Sequence, residues 1–173
     1  MSWKPLSRAL DVIDGKSGAR SPLGSGVYIE QSQGRLSILL ETSRKRSMKL
    51  RIPGTTEAED SGLYLESDLV NRDSIRDLRV DRDTALLDFE KFTNPRIRFW
   101  KSGDRIKPFG MRGHKLLSDI FVDRKIPEFE RGRIPLVVSQ DKIAWIAGVM
   151  ISDEFKVDRG TKRVLKLRLC ERS

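Results

Sequence analysis

Residues 96–133 combine cations, glycines and aromatic rings, which are the residue types that can bind a chain of phosphates. The window has eleven Lys or Arg against five Asp or Glu, so it holds six of the nine formal positive charges of the chain. Such segregated charge, with a pI near 9.9, indicates a nucleic-acid partner. The candidate RNA-binding residues are Arg98, Lys101, Arg105, Arg112, Gly113, His114, Lys115, Lys125 and Arg131.

A helix predicted from His114 to Val122 sharpens this interpretation. Leu116, Leu117, Ile120 and Phe121 would form one apolar stripe on it. Its unpaired N-terminal amides favour an anion, so a phosphate is expected at residues 113–115. Phe99, Trp100 and Phe109 could stack on exposed bases, although aromatic rings in strands usually belong to a core.

The acids of this window could be read as catalysts or metal ligands. Asp104 beside Gly103 suits a turn, and Lys115, Asp119 and Asp123 have the spacing of a salt-bridged helix stripe. His114 is the only histidine, so a cluster of histidines around a metal is excluded. We predict no catalytic, cofactor-binding or metal-binding residue.

Two glycine-containing runs elsewhere fail as nucleotide motifs. Gly15-Lys-Ser17 would need a glycine where Leu10 stands, and Gly24-Ser-Gly26 has Ile29 in place of its third glycine. Arg44–Arg46, Lys49 and Arg51 form a second basic cluster, which is more typical of a solvated loop but could extend an RNA track.

The remaining pattern predicts an α+β fold, rich in β-structure and sandwich-like, with antiparallel or mixed sheets. Leu6, Leu10 and Ile13 predict an N-terminal helix. Leu36, Ile38 and Leu40 alternate with other residues, which predicts a half-buried strand. Asp68–Asp83 is expected to be a linker or an exposed edge. The predicted strands are 27–31, 35–40, 48–52, 63–67, 96–100, 135–139, 143–147 and 164–169, with a turn at Gln140-Asp141 between two of them.

Length and composition bound the class of protein. The 173 residues suffice for one core, and 38% hydrophobic with 34% charged residues is typical of a folded, highly charged protein. The longest apolar stretch, Ile143–Ile151, is too short for a membrane span, and we expect a cytoplasmic protein. Cys170 is the single cysteine, so an internal disulfide is excluded.

The basic window also resembles a known family. The runs that carry the resemblance are Arg98-Phe-Trp-Lys-Ser-Gly-Asp-Arg105, Gly110-Met-Arg-Gly-His-Lys-Leu-Leu-Ser-Asp119 and Val122-Asp-Arg-Lys-Ile-Pro127, followed by Arg131, Ile134–Val138, Ile143–Gly148 and Phe155–Val157. They are similar to the C-terminal, tRNA-binding domain of tRNA(Ile)-lysidine synthetases. Weaker similarity at Ser17–Arg20 and Gly34–Leu36 extends the resemblance over most of the chain.

The resemblance implies a function for a larger enzyme. That enzyme uses ATP to attach lysine to the wobble cytidine of the CAU anticodon of tRNA(Ile), and this part would grip the acceptor-stem side. ATP and lysine would be substrates of the full enzyme, with no cofactor in this chain. The partners would be the tRNA and the enzyme's own N-terminal catalytic domain, and no membrane is expected.

Two departures from the family pattern bear on this prediction. Leu116 stands where the family usually has a second Lys, and the Ser-Gly-Gly-x-Asp-Ser loop of the catalytic domain is absent from the sequence. Residues 1–173 would therefore be a single C-terminal domain without catalytic motif, with a first half at 1–84 and a basic half at 85–173.

Three alternatives remain open. The first is a general RNA- or DNA-binding module. The second is a hydrolase that uses His114 with Ser118 or Asp119. The third is a scaffold domain, which would be favoured if Arg105 and Lys115 were buried in intramolecular ion pairs.

Overall fold

The computed structural model describes residues 20–24, 27–32, 34–40, 47–58 and 61–172. These residues form short strands, joined antiparallel wherever they pair, and two short helices, α1 (Leu117–Asp123) and α2 (Glu128–Arg131). The strands are β1 (Arg20–Gly24), β2 (Val27–Ser32), β3 (Arg35–Leu40), β4 (Met48–Lys49), β5 (Gly54–Ala58), β6 (Leu63–Asn71), β7 (Thr84–Asp88), β8 (Pro95–Phe99), β9 (Arg105–Ile106), β10 (Lys115–Leu116), β11 (Pro135–Ser139), β12 (Lys142–Ile146), β13 (Met150–Ile151) and β14 (Arg163–Glu171).

The chain divides into two compact units. The first comprises residues 1–44 and 121–132, and the second comprises residues 45–120 and 133–173. The predicted boundary between residues 84 and 85 falls inside the second unit, because β14 pairs with β6 on one side and with β7 on the other.

The first unit contains the three-stranded sheet β1-β2-β3. Strand β3 has the predicted bounds, but its predicted burial is wrong: Leu36 is 50% exposed and Ile38 is 71% exposed. Alternation of apolar residues identifies one face of a strand. It does not reveal whether anything covers that face.

The second unit has the predicted sandwich character. A five-stranded sheet, β13-β12-β11-β8-β4, and a four-stranded sheet, β5-β6-β14-β7, contribute to one apolar core. Ile97, Val137 and Trp145 come from the first sheet, and Leu65 and Leu165 come from the second. Burial of these large side chains is the main favourable term that stabilises the unit.

In strand β14 the burial of the side chains agrees with the hydrophobic pattern of the sequence. Leu165 and Leu167 are fully buried, whereas Lys166 and Arg168 are exposed, as the alternation predicted. The turn at Gln140 is also confirmed, because Gln140 has a φ of 54° and Ser139 pairs with Lys142 across it. The β-rich α+β fold class is thus confirmed.

Other predicted elements need correction or lie outside the structure. Helix α1 begins at Leu117 instead of His114, because Lys115 and Leu116 pair with β9 as strand β10. The predicted strand 48–52 ends at Lys49. Residues 3–13, where the N-terminal helix was predicted, and Arg44–Arg46 lie outside the described residues.

The acid- and arginine-rich segment 68–83 has two parts. Asp68–Asn71 continue strand β6, and the rest, after a 3-10 turn at Arg72–Ser74, follows the surface with Leu78 and Val80 exposed. Within the ranges that the structure describes, helices are too short and polar to cross a membrane.

Candidate nucleic-acid interface

At the end of β8 the basic window contains an ion pair between Arg98 and Asp104. The guanidinium of Arg98 donates to both carboxylate oxygens of Asp104, at 2.7 and 2.9 Å. Only 14% of the Arg98 side chain and 13% of the Asp104 side chain are exposed. Asp104 also accepts from the backbone N–H of Lys101 at 2.8 Å, and Gly103 has a φ of 86°, so the predicted turn is confirmed. This pair fixes the corner from which the rest of the window departs.

After the corner, β9 and β10 form a two-residue ribbon. Its register places Arg105 opposite Leu116 and Lys115 opposite Ile106. Directly opposed residues share a face and successive residues alternate. Arg105 and Lys115 therefore lie on opposite faces of the ribbon and cannot form one cationic cluster.

The helix start that was expected to hold a phosphate has a different geometry. Residues 113–115 precede the helix, and the backbone N–H of Leu117, its first residue, donates to the carbonyl of Asp104 at 2.9 Å. The premise of a helix beginning at His114 is wrong. Because Lys115 lies on β10, its spacing to Asp119 and Asp123 is not the spacing of one helix face.

The loop between β9 and β10 is held by Asp153. Its carboxylate accepts from the backbone N–H of Gly110 at 3.1 Å and pairs with Lys156 at 2.8 Å and Lys107 at 3.5 Å. The backbone N–H of Asp153 donates to the carbonyl of Lys107 at 2.9 Å. The hydrogen bonds from Lys156 and Gly110 lower the pKa of Asp153 to about 2. The basic loop is thus built on an acid that the sequence reasoning missed.

Glu154 has two partners beside this anchor. Lys142 donates to it at 2.7 Å, and Nε2 of His114 lies 3.6 Å from its other oxygen. The hydrogen bond from Lys142 is the main cause that lowers the pKa of Glu154. The run Ser152-Asp-Glu154 is typical of a helix start, so the sequence did contain a pattern that could have pointed to both acids. Ser152 indeed accepts from the backbone N–H of Glu154 and begins a 3-10 turn at Asp153–Phe155.

The predicted RNA-binding residues therefore fall into separate groups. Lys101, Arg105 and Arg112 are exposed, and within residues 47–58 and 61–172 their side chains make no hydrogen bond or ion pair. Gly113 and His114 are exposed and Lys115 is half-buried. Lys125 and Arg131 belong to the other compact unit. There Lys125 has a φ of 55°, and Arg131 donates from Nε to the carbonyl of Ile126 at 3.0 Å.

The three aromatic candidates differ in exposure. Phe99 is buried, Trp100 is half-buried and Phe109 is 60% exposed. Of the three rings, Phe109 is thus the one most exposed to solvent.

The residues named for the rival hydrolase make other contacts. Ser118 Oγ lies 3.4 Å from Asp119, its neighbour, whereas the acid beside His114 is Glu154. A nucleophile and its base should lie within hydrogen-bond reach. In the part of the chain that the structure describes, no group of three or more His, Cys, Asp or Glu side chains could hold a metal ion.

Comparison with known proteins agrees with this architecture. Residues 96–169 match the family model described as "TilS substrate C-terminal domain". A solved structure titled "Crystal structure of TILS C-terminal domain" is similar to the chain with a TM-score of 0.65 and 25% identity, covering 74% of this chain and 98% of that one.

The curated relatives are longer than this chain. A tRNA(Ile)-lysidine synthase of Clostridium perfringens is 34% identical over 94% of this chain and 38% of its own length. Another of Parabacteroides distasonis is 45% identical over 51% of this chain and 20% of its own length. The chain thus spans less than two fifths of the length of these relatives.

Proposed function

Residues 96–169 belong to the TilS substrate C-terminal domain family, and on this basis we propose that the chain is the tRNA-binding C-terminal part of a tRNA(Ile)-lysidine synthetase. The whole enzyme would use ATP to attach lysine to the wobble cytidine of the CAU anticodon. This part would grip the acceptor-stem side of the tRNA. ATP and lysine would bind in the N-terminal catalytic domain, which is the protein partner of this part, and the enzyme would work in the cytoplasm.

The observation that carries the proposal is a run of cations without acids on an anchored loop. Residues 105–118 contain Arg105, Lys107, Arg112 and Lys115 but neither Asp nor Glu. Arg105 and Arg112 are exposed, and among the described residues they have no ion pair that a phosphate would have to break. Since the loop is fixed through Asp153, these contacts need little ordering when RNA binds.

The candidate residues take different roles in this proposal. Lys101, Arg105 and Arg112 contact phosphates, while Gly113, His114 and Lys115 line the same loop. Lys125 and Arg131 supply further contacts from the other unit. Arg98 is already bound to Asp104, so we assign it the role of positioning the corner.

A filter-binding titration tests the electrostatic part. With on the order of five phosphate contacts, the logarithm of the tRNA affinity should fall against the logarithm of salt concentration with a slope of about −4. A flat response would contradict the proposal.

The general RNA- or DNA-binding module is the second candidate, because the same cations would hold any phosphate chain. A tRNA(Ile) transcript with the CAU anticodon should bind more tightly than other tRNAs and than duplex DNA of equal length. Equal affinities at one salt concentration would favour the general module.

A further inference from the structure

An apolar groove opens beside the basic loop. It has a volume of about 240 Å³, and its walls include Leu78, Val80, Phe109, Val149, Ile151 and Val157. Leu78 and Val80 are exposed, and so is Phe109. The volume lies below the range of roughly 300 Å³ and more that is typical of drug-sized ligands. The groove is therefore of a size that suits one planar ring system.

The backbone on both sides of Phe109 is anchored. Pro108 forms a β-bridge with Ser152, and Gly110 donates its N–H to Asp153 at 3.1 Å. Gly110 has a φ of 77°, which residues other than glycine rarely adopt. The backbone N–H of Met111 donates to the carbonyl of Pro108 at 3.0 Å. A tight turn thus presents Phe109 while its backbone is anchored, so little order has to be gained when a ligand stacks on it.

Charge on the same loop selects the kind of ligand. Arg105 and Arg112 flank Phe109 in sequence and are exposed, and the run 105–118 has no acid. The groove itself is lined by Asp81 as well as by Arg82 and Lys156, and Lys156 is bound to Asp153, so the unpaired cations of this site are those of the loop. An aromatic face with cations around it is the arrangement that binds unpaired nucleotides, because the base stacks while its phosphates meet the positive charges.

We propose that this groove binds one unpaired base of the RNA, stacked on Phe109, with the adjoining phosphates at Arg105 and Arg112. The proposal rests on the proposed RNA-binding function and deepens it. A purely apolar partner, such as a protein segment, would fill the walls but would gain nothing from the acid-free cationic run.

A single-stranded RNA hexamer that carries 2-aminopurine at one position tests the stacking directly. Its emission should be quenched on addition of the wild-type chain. Phe109→Trp should quench as well, whereas Phe109→Leu, which keeps apolar bulk but has no π face, should not. Met111→Leu is the matched control, since Met111 is exposed on the same loop without an aromatic ring. An unquenched hexamer with the wild-type chain would overturn the proposal.

Binding of the tRNA(Ile) transcript gives a second readout. Phe109→Leu should weaken it about tenfold with the salt slope unchanged, because no phosphate contact is removed. Unchanged affinity of Phe109→Leu, or an equal loss on a blunt RNA duplex, would overturn the proposal and leave the groove to an apolar protein segment. If the wild-type chain quenches the hexamer but fails to bind the tRNA, the stacking site stands and the proposed tRNA function fails.

Discussion

Arg98 and Arg105 lie in the same basic window, yet the fold gives them opposite surroundings. Arg98 is largely buried and bound through two hydrogen bonds to Asp104, whereas Arg105 is exposed on the two-residue ribbon. In the sequence both count as one positive charge. Only the structure shows that one cation holds the corner together and that the other is exposed to solvent.

The largest effect should follow from breaking the corner. Arg98→Met leaves the Asp104 carboxylate partly buried without its guanidinium, which should lower the free energy of unfolding by about 3 kcal/mol. Urea denaturation measures it. Arg105→Met is the matched control, and it should change stability by less than about 0.5 kcal/mol. Similar losses in the two variants would remove the distinction between the two arginines.

The reverse contrast should appear in RNA binding. Arg105→Glu should weaken tRNA binding about tenfold and reduce the magnitude of the salt slope by about 1, while stability stays nearly constant. Lys162→Glu makes the same charge change at an exposed lysine outside the basic window. Arg163 is unsuitable as a control, because it donates to Glu90 at 2.8 Å and lies over the ring of Phe89. Equal losses for Arg105→Glu and Lys162→Glu would mean that only net charge matters.

The anchor of the exposed loop should depend on pH. The pKa of Asp153 is lowered from 3.8 to about 2 in the folded chain. Its contribution to stability is therefore present above about pH 4 and lost as the pH falls toward 2. The protection factor of the Gly110 amide, measured by NMR hydrogen exchange, should decrease over this range. Asp153→Asn should lack this decrease, and a wild-type amide that is equally protected at pH 5 and pH 2 would contradict the anchor.

The smallest effect is expected at His114. Its Nε2 is 3.6 Å from Glu154 and about half of the side chain is exposed, so His114→Gln should change the free energy of unfolding by less than about 0.5 kcal/mol. Lys142→Met removes the shorter contact at 2.7 Å to the same carboxylate and should cost more. Thermal unfolding of both variants compares their losses of stability. A larger loss for His114→Gln than for Lys142→Met would contradict this minor role of the His114 ring.

The sequence predicted the framework better than the site. Alternation located β14 because burial on one face of a strand has a period of two, and local turn chemistry located Gln140 and Gly103. It failed for Lys115 and Leu116, since two residues that pair with β9 carry no periodic signal of their own. The ion pair of Asp153 with Lys107 and its hydrogen bond with Gly110 were also unpredictable, because they join residues more than forty positions apart.

The position of β14 between β6 and β7 has a consequence for synthesis on the ribosome. When residues 63–88 have left the exit tunnel, β6 and β7 have no partner between them, and the nine residues that join them are still more than seventy positions away. Loop closure over such a separation is slow relative to local folding. The four-stranded sheet therefore assembles only after residue 171 has emerged. Until then the unpaired edges of its strands are exposed and can aggregate with other nascent chains.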